Sequence, residues 1–397
     1  MKQIFTTITT LFMLSCAVSA QPVLCGGFGT SGMALVNGTT YTKSGTLGSG
    51  NFPFVSASRD GSKFYASSQS GKMYFIDVAS SAFIDSMSIS TRNLASSNEP
   101  DILFATTNAA LVRINTTTKT VVDSVVLGVP WLPEERPNSK EVWVTDSGKI
   151  HVVDYSSSLA VTTFSVAASP YDYMGVRFSP GGTMAFKGVG TGKQLFKIDP
   201  ATKAISLTVN TAPVVPGALV VSHDSSKVFV CDATNMKVMI YKSSDLSLQD
   251  SIVLDKVPMN IYRHPTRNEI WVVHHFSDSV SVFDENTKAL IAAFGISGSP
   301  WYLAFVVGSP TSVRNTNRNV SGINVYPNPA TGQITLIGIA KNDRVAIYDV
   351  SGKNVISWNS INEQLSFNIS ALKTGYYLAH VLDSNGNVKA DVPFVKQ

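Results

Sequence analysis

The sequence is poor in charged residues and has no long run of helix-forming residues. Asp, Glu, Lys and Arg make up only 15% of its 397 residues, and the formal net charge is +4. The basic residues are scattered and are not interleaved with aromatic residues, which argues against nucleic-acid binding. Gly, Ser, Thr, Asn and Val are abundant instead, and this composition is typical of short β-strands joined by turns.

The common catalytic and metal-binding motifs are also missing. The sequence contains no G-x-S-x-G, no H-E-x-x-H, no Walker loop and no cysteine pair at metal-ligand spacing. His274 and His275 are adjacent, but neighbouring residues of a strand point to opposite faces, so we do not expect them to ligate one metal ion. The sequence therefore predicts no catalytic residue set, no metal site and no cofactor.

The N-terminus predicts a secretory signal peptide. Lys2 precedes a short apolar segment, residues 4–14, and Val18-Ser19-Ala20 matches a cleavage site of small residues. We expect a signal peptide of residues 1–20 that directs the chain to the periplasm. Cys16 leaves a lipoprotein signal open as an alternative.

The middle of the chain repeats a pattern of three strands separated by polar turns. One copy reads EIWVVHHFSDSVSVFDENTKALIAAFGI. The residues that close the middle strand, in a degenerate first copy and then six clear ones, are Asn37, Asp77, Asn115, Asp154, Asp199, Lys242 and Asp284. Their spacing of 38 to 45 residues is typical of a four-stranded propeller blade. One such residue per blade cannot converge on an ion, so we expect the Asp and Asn side chains to accept backbone N–H bonds in turns.

A fourth strand precedes most copies, as in PFVSAS, GVRFS and GALVVS. The first copy lacks this strand, whereas WYLAFVV follows the last copy, so that strand can complete the first blade and leave no open edge. The pattern predicts an all-β protein with a seven-bladed β-propeller over residues 21–308. Cys25 and Cys231 would lie in different blades, too far apart for a disulfide, and we expect two free, buried thiols.

The repeat resembles that of the YVTN family of β-propellers, and it is similar to surface-layer and YncE-like proteins. The segment EIWVVHHFSDSVSVFDENTKALIAAFGISGSPWYLAF carries the resemblance, which covers residues 23–307. It implies the propeller fold and leaves the activity open, because this fold supports many unrelated functions.

Residues 309–322 are polar and lack periodicity, which predicts a linker. The short alternating strands that follow predict a small antiparallel β-sandwich over residues 323–397. Its segments VYPNPATG, IYDVSGKNV, ALKTGYYLAHV and VPFVKQ resemble, in order, the type A C-terminal sorting domain of the type IX secretion system of Bacteroidetes. The resemblance implies that this secretion machinery is a partner, and that the protein is secreted or attached to the outer-membrane surface.

The loops between blades carry prolines followed by large residues. In an antiparallel blade these loops share one face with the loop after the second strand, so their side chains should ring one mouth of the channel, as in many ligand sites. The ligand-binding residues predicted from this placement are Phe54, Trp131, Tyr171, Met259, Trp301, Asp146, Asp232, His274 and His275. Packing of neighbouring blades is the alternative role for these side chains.

The sequence thus favours a secreted, surface-displayed binding module for a small molecule, a glycan or a protein. A hydrolase similar to propeller lactonases and a purely structural surface-layer protein are the alternatives. The hydrolase would need acidic, basic or metal-binding residues that converge at the channel mouth, and the sequence offers few.

Truncation after residue 310 tests the export role of the C-terminal segment. Because the propeller is expected to close on its own last strand before Gly308, the truncated chain should fold and stay in the periplasm. Immunoblots of the periplasm and the culture medium measure this. Truncated protein in the medium would contradict the prediction.

Overall fold

The computed structural model describes residues 21–166, 174–306, 323–349, 354–360, 362–384 and 388–397. They form two compact units whose boundary lies between Gly308 and Ser309. The predicted signal peptide, the predicted linker and Tyr171 lie outside the described residues. Within the described ranges the regular structure is β-strand apart from one 3-10 turn, His275–Ser277. No helix there is long and apolar enough to cross a membrane.

The N-terminal unit is built from seven four-stranded antiparallel sheets, here called blades I to VII. Blade I contains β1 (Pro22–Gly27), β2 (Met33–Asn37) and β3 (Thr42–Leu47). Blade II contains β4 (Phe54–Ala57), β5 (Lys63–Ser68), β6 (Lys72–Asp77) and β7 (Ala82–Ser88). Blade III contains β8 (Asn93–Ser96), β9 (Ile102–Thr106), β10 (Ala110–Asn115) and β11 (Thr120–Val126). Blade IV contains β12 (Pro133–Glu135), β13 (Glu141–Asp146), β14 (Lys149–Asp154) and β15 (Ala160–Ser165).

Blades V to VII complete the wheel in the same order from the centre outward. Blade V contains β16 (Arg177–Phe178), β17 (Ala185–Val189), β18 (Gln194–Asp199) and β19 (Ala204–Asn210). Blade VI contains β20 (Pro216–Val221), β21 (Lys227–Asp232), β22 (Lys237–Lys242) and β23 (Leu248–Val253). Blade VII contains β24 (Asn260–Arg263), β25 (Glu269–His274), β26 (Ser279–Asp284) and β27 (Leu290–Gly295).

Blade I is completed by the last strand of the unit, β28 (Pro300–Phe305). This strand pairs antiparallel with β1, with Val23 opposite Phe305 and Gly26 opposite Tyr302. The predicted closure and the seven-bladed propeller are both confirmed.

The core of the propeller lies between the blades. The second and third strands of each blade carry apolar residues on both faces, so each sheet packs against two neighbours, whereas the outermost strands are largely exposed. Seven apolar clusters fill the seven interfaces. At the interface between blades VII and I, for example, Trp271 and Val273 pack against Val23 and Val36.

The two cysteines lie in separate interfaces. Cys25 belongs to the cluster between blades VII and I, and Cys231 to the cluster between blades VI and VII. Both are free and buried, as predicted. Burial raises the pKa of Cys25 to about 12 and also raises the pKa of Cys231, so both remain protonated, unreactive thiols.

The Asp and Asn residues that close the third strands form turns. Asp77 Oδ1 accepts the backbone N–H of Ser80 at 2.7 Å, and Asp284 Oδ1 accepts that of Thr287 at 2.7 Å. Asn37, Asn115, Asp154 and Asp199 make equivalent bonds. The prediction that these Asp and Asn side chains accept backbone N–H bonds in turns is therefore confirmed.

A partly buried polar cluster joins blade VII to blade I. Arg267 donates to Glu269 Oε1 at 2.6 Å and reaches across to the carbonyl of Gly38 at 2.6 Å. Tyr41 of blade I donates to Glu269 Oε1 at 2.8 Å, and the indole of Trp271 donates to Oε2 at 3.0 Å. Burial opposes ionisation of Glu269, but these hydrogen bonds outweigh it and keep its pKa below the ordinary value. We call these five residues the closure cluster.

His264 lies beside the closure cluster in the turn before β25. Its Nδ1 accepts the backbone N–H groups of Thr266 and Arg267 at 3.2 and 3.0 Å, so this nitrogen is unprotonated. Burial, reinforced by the charge of Arg267, lowers the pKa of His264 to about 4.

The C-terminal unit is an antiparallel β-sandwich. Its strands are β29 (Asn324–Tyr326), β30 (Gln333–Ile337), β31 (Arg344–Asp349), β32 (Asn354–Asn359), β33 (Gln364–Asn368), β34 (Gly375–Leu382) and β35 (Val388–Lys396). One sheet has the order β29-β30-β33 and the other β32-β31-β34-β35. Ile334, Leu336 and Phe367 of the first sheet share one core with Val345 and Val381 of the second. This confirms the predicted small β-sandwich.

The variant Glu269→Ala tests the closure cluster. It leaves the buried indole N–H of Trp271 and the hydroxyl of Tyr41 without their acceptor and removes the ion pair with Arg267, so we expect a loss of about 3 kcal/mol in the free energy of unfolding. Urea unfolding of the full chain measures it. Lys288→Ala, which removes the exposed ion pair with Asp250, is the control and should leave the midpoint unchanged. Equal midpoints for both variants would show that the cluster is not needed for stability.

The pH dependence of stability tests His264. An unfolded histidine titrates near 6.5, so between about pH 6.5 and pH 4 the unfolded chain binds a proton that the native protein does not. Stability from this residue is therefore complete above pH 6.5 and falls as the pH decreases. In His264→Asn, which keeps an acceptor but cannot titrate, the loss between pH 7.5 and 4.5 should be smaller by about 2 kcal/mol. Parallel urea-unfolding profiles would refute this assignment.

Candidate functional site

Aromatic side chains converge around a pocket at one mouth of the propeller channel. Phe28 follows β1, Phe54 begins β4, Trp131 precedes β12, and Trp301 lies on β28. The pocket has a volume of about 240 Å³. This is slightly below the roughly 300–1,000 Å³ usual for drug-sized ligands, so the pocket suits a small one. We call it the mouth pocket.

The rings of the mouth pocket contact one another edge to face. The centroids of Phe28 and Trp301 are 5.6 Å apart, those of Phe28 and Phe54 6.2 Å, and those of Phe54 and Trp131 6.4 Å. Phe28 is 38% exposed, and both tryptophans are half-buried. The rings therefore support each other and still present apolar surface to a ligand.

Three of the described lining residues, Arg177, Asn260 and Tyr302, carry polar side-chain groups, in addition to the indole N–H groups of Trp131 and Trp301. The Asn260 amide donates to the carbonyl of Trp301 at 3.1 Å and to Tyr262 at 2.9 Å, and its oxygen accepts the N–H of Ile261. Asn260 is thus committed to holding β24 and β28 together. Arg177 is mostly buried and donates through Nη1 to Glu134.

A second, more polar cavity of about 680 Å³ adjoins the mouth pocket. Leu132, Arg177 and Tyr302 line both cavities and so separate them. We call these three residues the waist and the second cavity the polar cavity.

The polar cavity contains two carboxylates that already have partners. Glu134 pairs with Arg177. Glu135 accepts hydrogen bonds from the Ser97 hydroxyl at 3.0 Å, from the backbone N–H of Asn98 and from Tyr155. Burial outweighs these bonds and raises the pKa of Glu135 above its ordinary value.

The structure brings four of the predicted site residues together, namely Phe54, Trp131, Met259 and Trp301. Tyr171 lies outside the described residues, so its position is not described. Asp146 and Asp232 end second strands as predicted but do not line the mouth pocket. Asp146 accepts the N–H of Val129 at 3.3 Å, and Asp232 accepts the amide of Asn235 at 2.6 Å.

The two predicted histidines differ in environment. His274 is fully buried, with hydrogen-bonding contacts to the Val257 carbonyl at 3.2 Å and the Ser281 hydroxyl at 3.0 Å. Burial lowers its pKa. His275 packs behind the pocket wall, with its ring centroid 5.0 Å from that of Trp301. No group of three or more metal-ligating side chains occurs in the described part of the chain.

Sequence reasoning missed several lining residues, including Phe28, Arg177 and Tyr302. Phe28 lies in the glycine-rich loop of the degenerate first copy, where the repeat register is weakest. Arg177 is a single charged residue in the apolar segment GVRFS, and this charge in an innermost strand was the available signal for a channel-lining group.

Comparison with known proteins identifies each unit separately. Residues 324–392 match the family model of the secretion system C-terminal sorting domain. No curated protein sequence matches the chain. Among solved structures, the chain is similar to the Swd1 β-propeller domain from Myceliophteria thermophila, with 12% identity, a TM-score of 0.54, and coverage of 63% of this chain and 88% of that one.

The dihydro-heme d1 dehydrogenase NirN, solved in complex with DHE, is similar with 14% identity and a TM-score of 0.54, over 89% of this chain and 76% of that one. Likeness at this identity shows the fold alone. The chain is therefore a β-propeller that carries a type IX secretion sorting domain. The sorting domain implies interaction with the type IX machinery and a location at the cell surface or outside the cell.

Proposed function

We propose that this protein is an exported binding module that takes up a small ligand in the mouth pocket. The convergence of Phe28, Phe54, Trp131 and Trp301 on one cavity is the observation that carries the proposal. Large aromatic side chains supply apolar contact area at low entropic cost, and a pocket with few polar groups is the usual form of a small-molecule site.

The finer assignments belong to the same proposal. We propose that a signal peptide of residues 1–20 is cleaved after Ala20, that the propeller of residues 21–308 is related to the YVTN family, and that the source organism belongs to the Bacteroidetes. In this proposal, residues 309–322 link the propeller to the sorting domain of residues 323–397, which delivers the binding module to the outer-membrane surface or releases it.

A hydrolase has less support from the geometry. Glu134 is paired with Arg177, and Glu135 accepts three hydrogen bonds, so neither carboxylate is placed as a general base toward the mouth pocket. A purely structural role would use Trp131 and Trp301 only for packing against the apolar cluster between blades I and II, whereas both side chains also line the mouth pocket and are only half-buried.

Trp131→Ala and Trp301→Ala test the proposal in the full chain. Because both side chains are half-buried, each variant should lose about 1–2 kcal/mol of stability, compared with about 3–5 kcal/mol for the fully buried Trp271→Ala control. Thermal melts measure these losses. A small-molecule screen by thermal shift should then find compounds that stabilise the wild type and do not stabilise either mouth variant.

The outcome that contradicts the proposal is equally specific. If Trp131→Ala and Trp301→Ala each lose as much stability as Trp271→Ala, and every stabilising compound also stabilises both variants, the tryptophans serve blade packing and the binding site lies elsewhere.

A further inference from the structure

The chemistry of the mouth pocket restricts what it can bind. Its wall is largely aromatic and aliphatic, with Phe28, Trp131, Met259 and Trp301 around the opening. A glycan would need many hydrogen-bonding partners, and the amide of Asn260 is already occupied by Tyr262, Trp301 and the backbone. The body of a well-matched ligand is therefore apolar.

Arg177 supplies the one charged group among the described lining residues. A guanidinium has five N–H donors and remains protonated in proteins. Among the described residues, its hydrogen-bonding partner is Glu134, which lines the polar cavity but not the mouth pocket. Because Arg177 lines both cavities, it can hold Glu134 on one side and retain donors for the other.

Glu134 also interacts with a second guanidinium. Arg263 lines the polar cavity too, and its electrostatic partners are Glu285 first and Glu134 second. Because Arg177 is mostly buried, its charge is less screened than a charge on the surface and acts more strongly on a group bound beside it.

We propose that the mouth pocket is selective for small apolar molecules that carry one anionic group of the carboxylate type, with this group hydrogen-bonded to Arg177 and the apolar body held between the aromatic rings. This inference rests on the proposed function, because it specifies the ligand class of the same pocket. Arginine binds carboxylates through two parallel charge-assisted hydrogen bonds, which gives both affinity and orientation.

Two probes with the same apolar body separate the charge from the rings. Isothermal titration calorimetry of the full chain with 2-naphthoate and with uncharged 2-naphthylmethanol should show tighter binding of the naphthoate. Arg177→Met should weaken naphthoate binding by roughly 10- to 100-fold and leave naphthylmethanol binding unchanged. Arg59→Met, which removes a guanidinium that lines the polar cavity but not the mouth pocket, is the matched control and should retain the preference.

Glu134→Gln tests the charge selectivity of the mouth pocket even if Arg177→Met fails to fold. It removes the competing carboxylate and keeps a hydrogen-bond acceptor, so naphthoate should bind several-fold more tightly while naphthylmethanol is unaffected. Equal affinities of the two probes in the wild type, a preference that survives Arg177→Met, or a Glu134→Gln variant with unchanged or weaker naphthoate binding would each overturn the inference.

The two proposals fail in different ways. If both probes bind equally and Trp301→Ala weakens both, the binding function stands and the charge selectivity is wrong. If neither probe binds, or if Trp301→Ala has no effect on either, both the mouth pocket as a binding site and its selectivity are refuted.

Discussion

The antiparallel pairing of β28 with β1 is the contact on which the propeller depends. It joins the two ends of the propeller sequence, with Val23 opposite Phe305. Two apolar interfaces need it, because blade I packs against blade VII through Trp271 and against blade II through Phe64. The entropic cost of closing a loop grows only logarithmically with its length, so the burial of two interfaces offsets one long closure. The closure cluster adds directional hydrogen bonds across one of the same interfaces.

Closure also completes the mouth pocket. β28 contributes Trp301 to its wall and Tyr302 to the waist, and Phe28 follows directly after the partner strand β1. Phe54, at the start of the next blade, contacts both Phe28 and Tyr302. An open ring would therefore lack one side of the pocket, so the formation of the fold and the formation of the candidate site are the same event.

The sequence predicted the features that depend on the interval of the repeat, and it missed those that depend on the direction in which a side chain points. Turn residues such as Asp77 recur at the blade interval, so the blade number could be predicted from spacing, and the unpaired strand WYLAFVV after the last copy predicted the closing strand. Because Asp146 and His274 each end a second strand, their height along the channel could also be predicted from the repeat. Spacing does not specify where a side chain points. Asp146 turns to the backbone of Val129, and His274 is buried in its own blade, because local acceptors and donors satisfy them there.

Arg177 is a charged residue in an innermost strand, and the proposed function gives that charge a reason. A buried ion pair is weak evidence for stability, because the cost of desolvating two charges is often as large as their attraction. Two apolar side chains could fill the same space in the waist without this desolvation cost, as Leu132 does beside Arg177. Under the proposed function, the pair lies between an apolar pocket and a polar cavity because Glu134 holds Arg177 where its remaining N–H donors can reach a ligand.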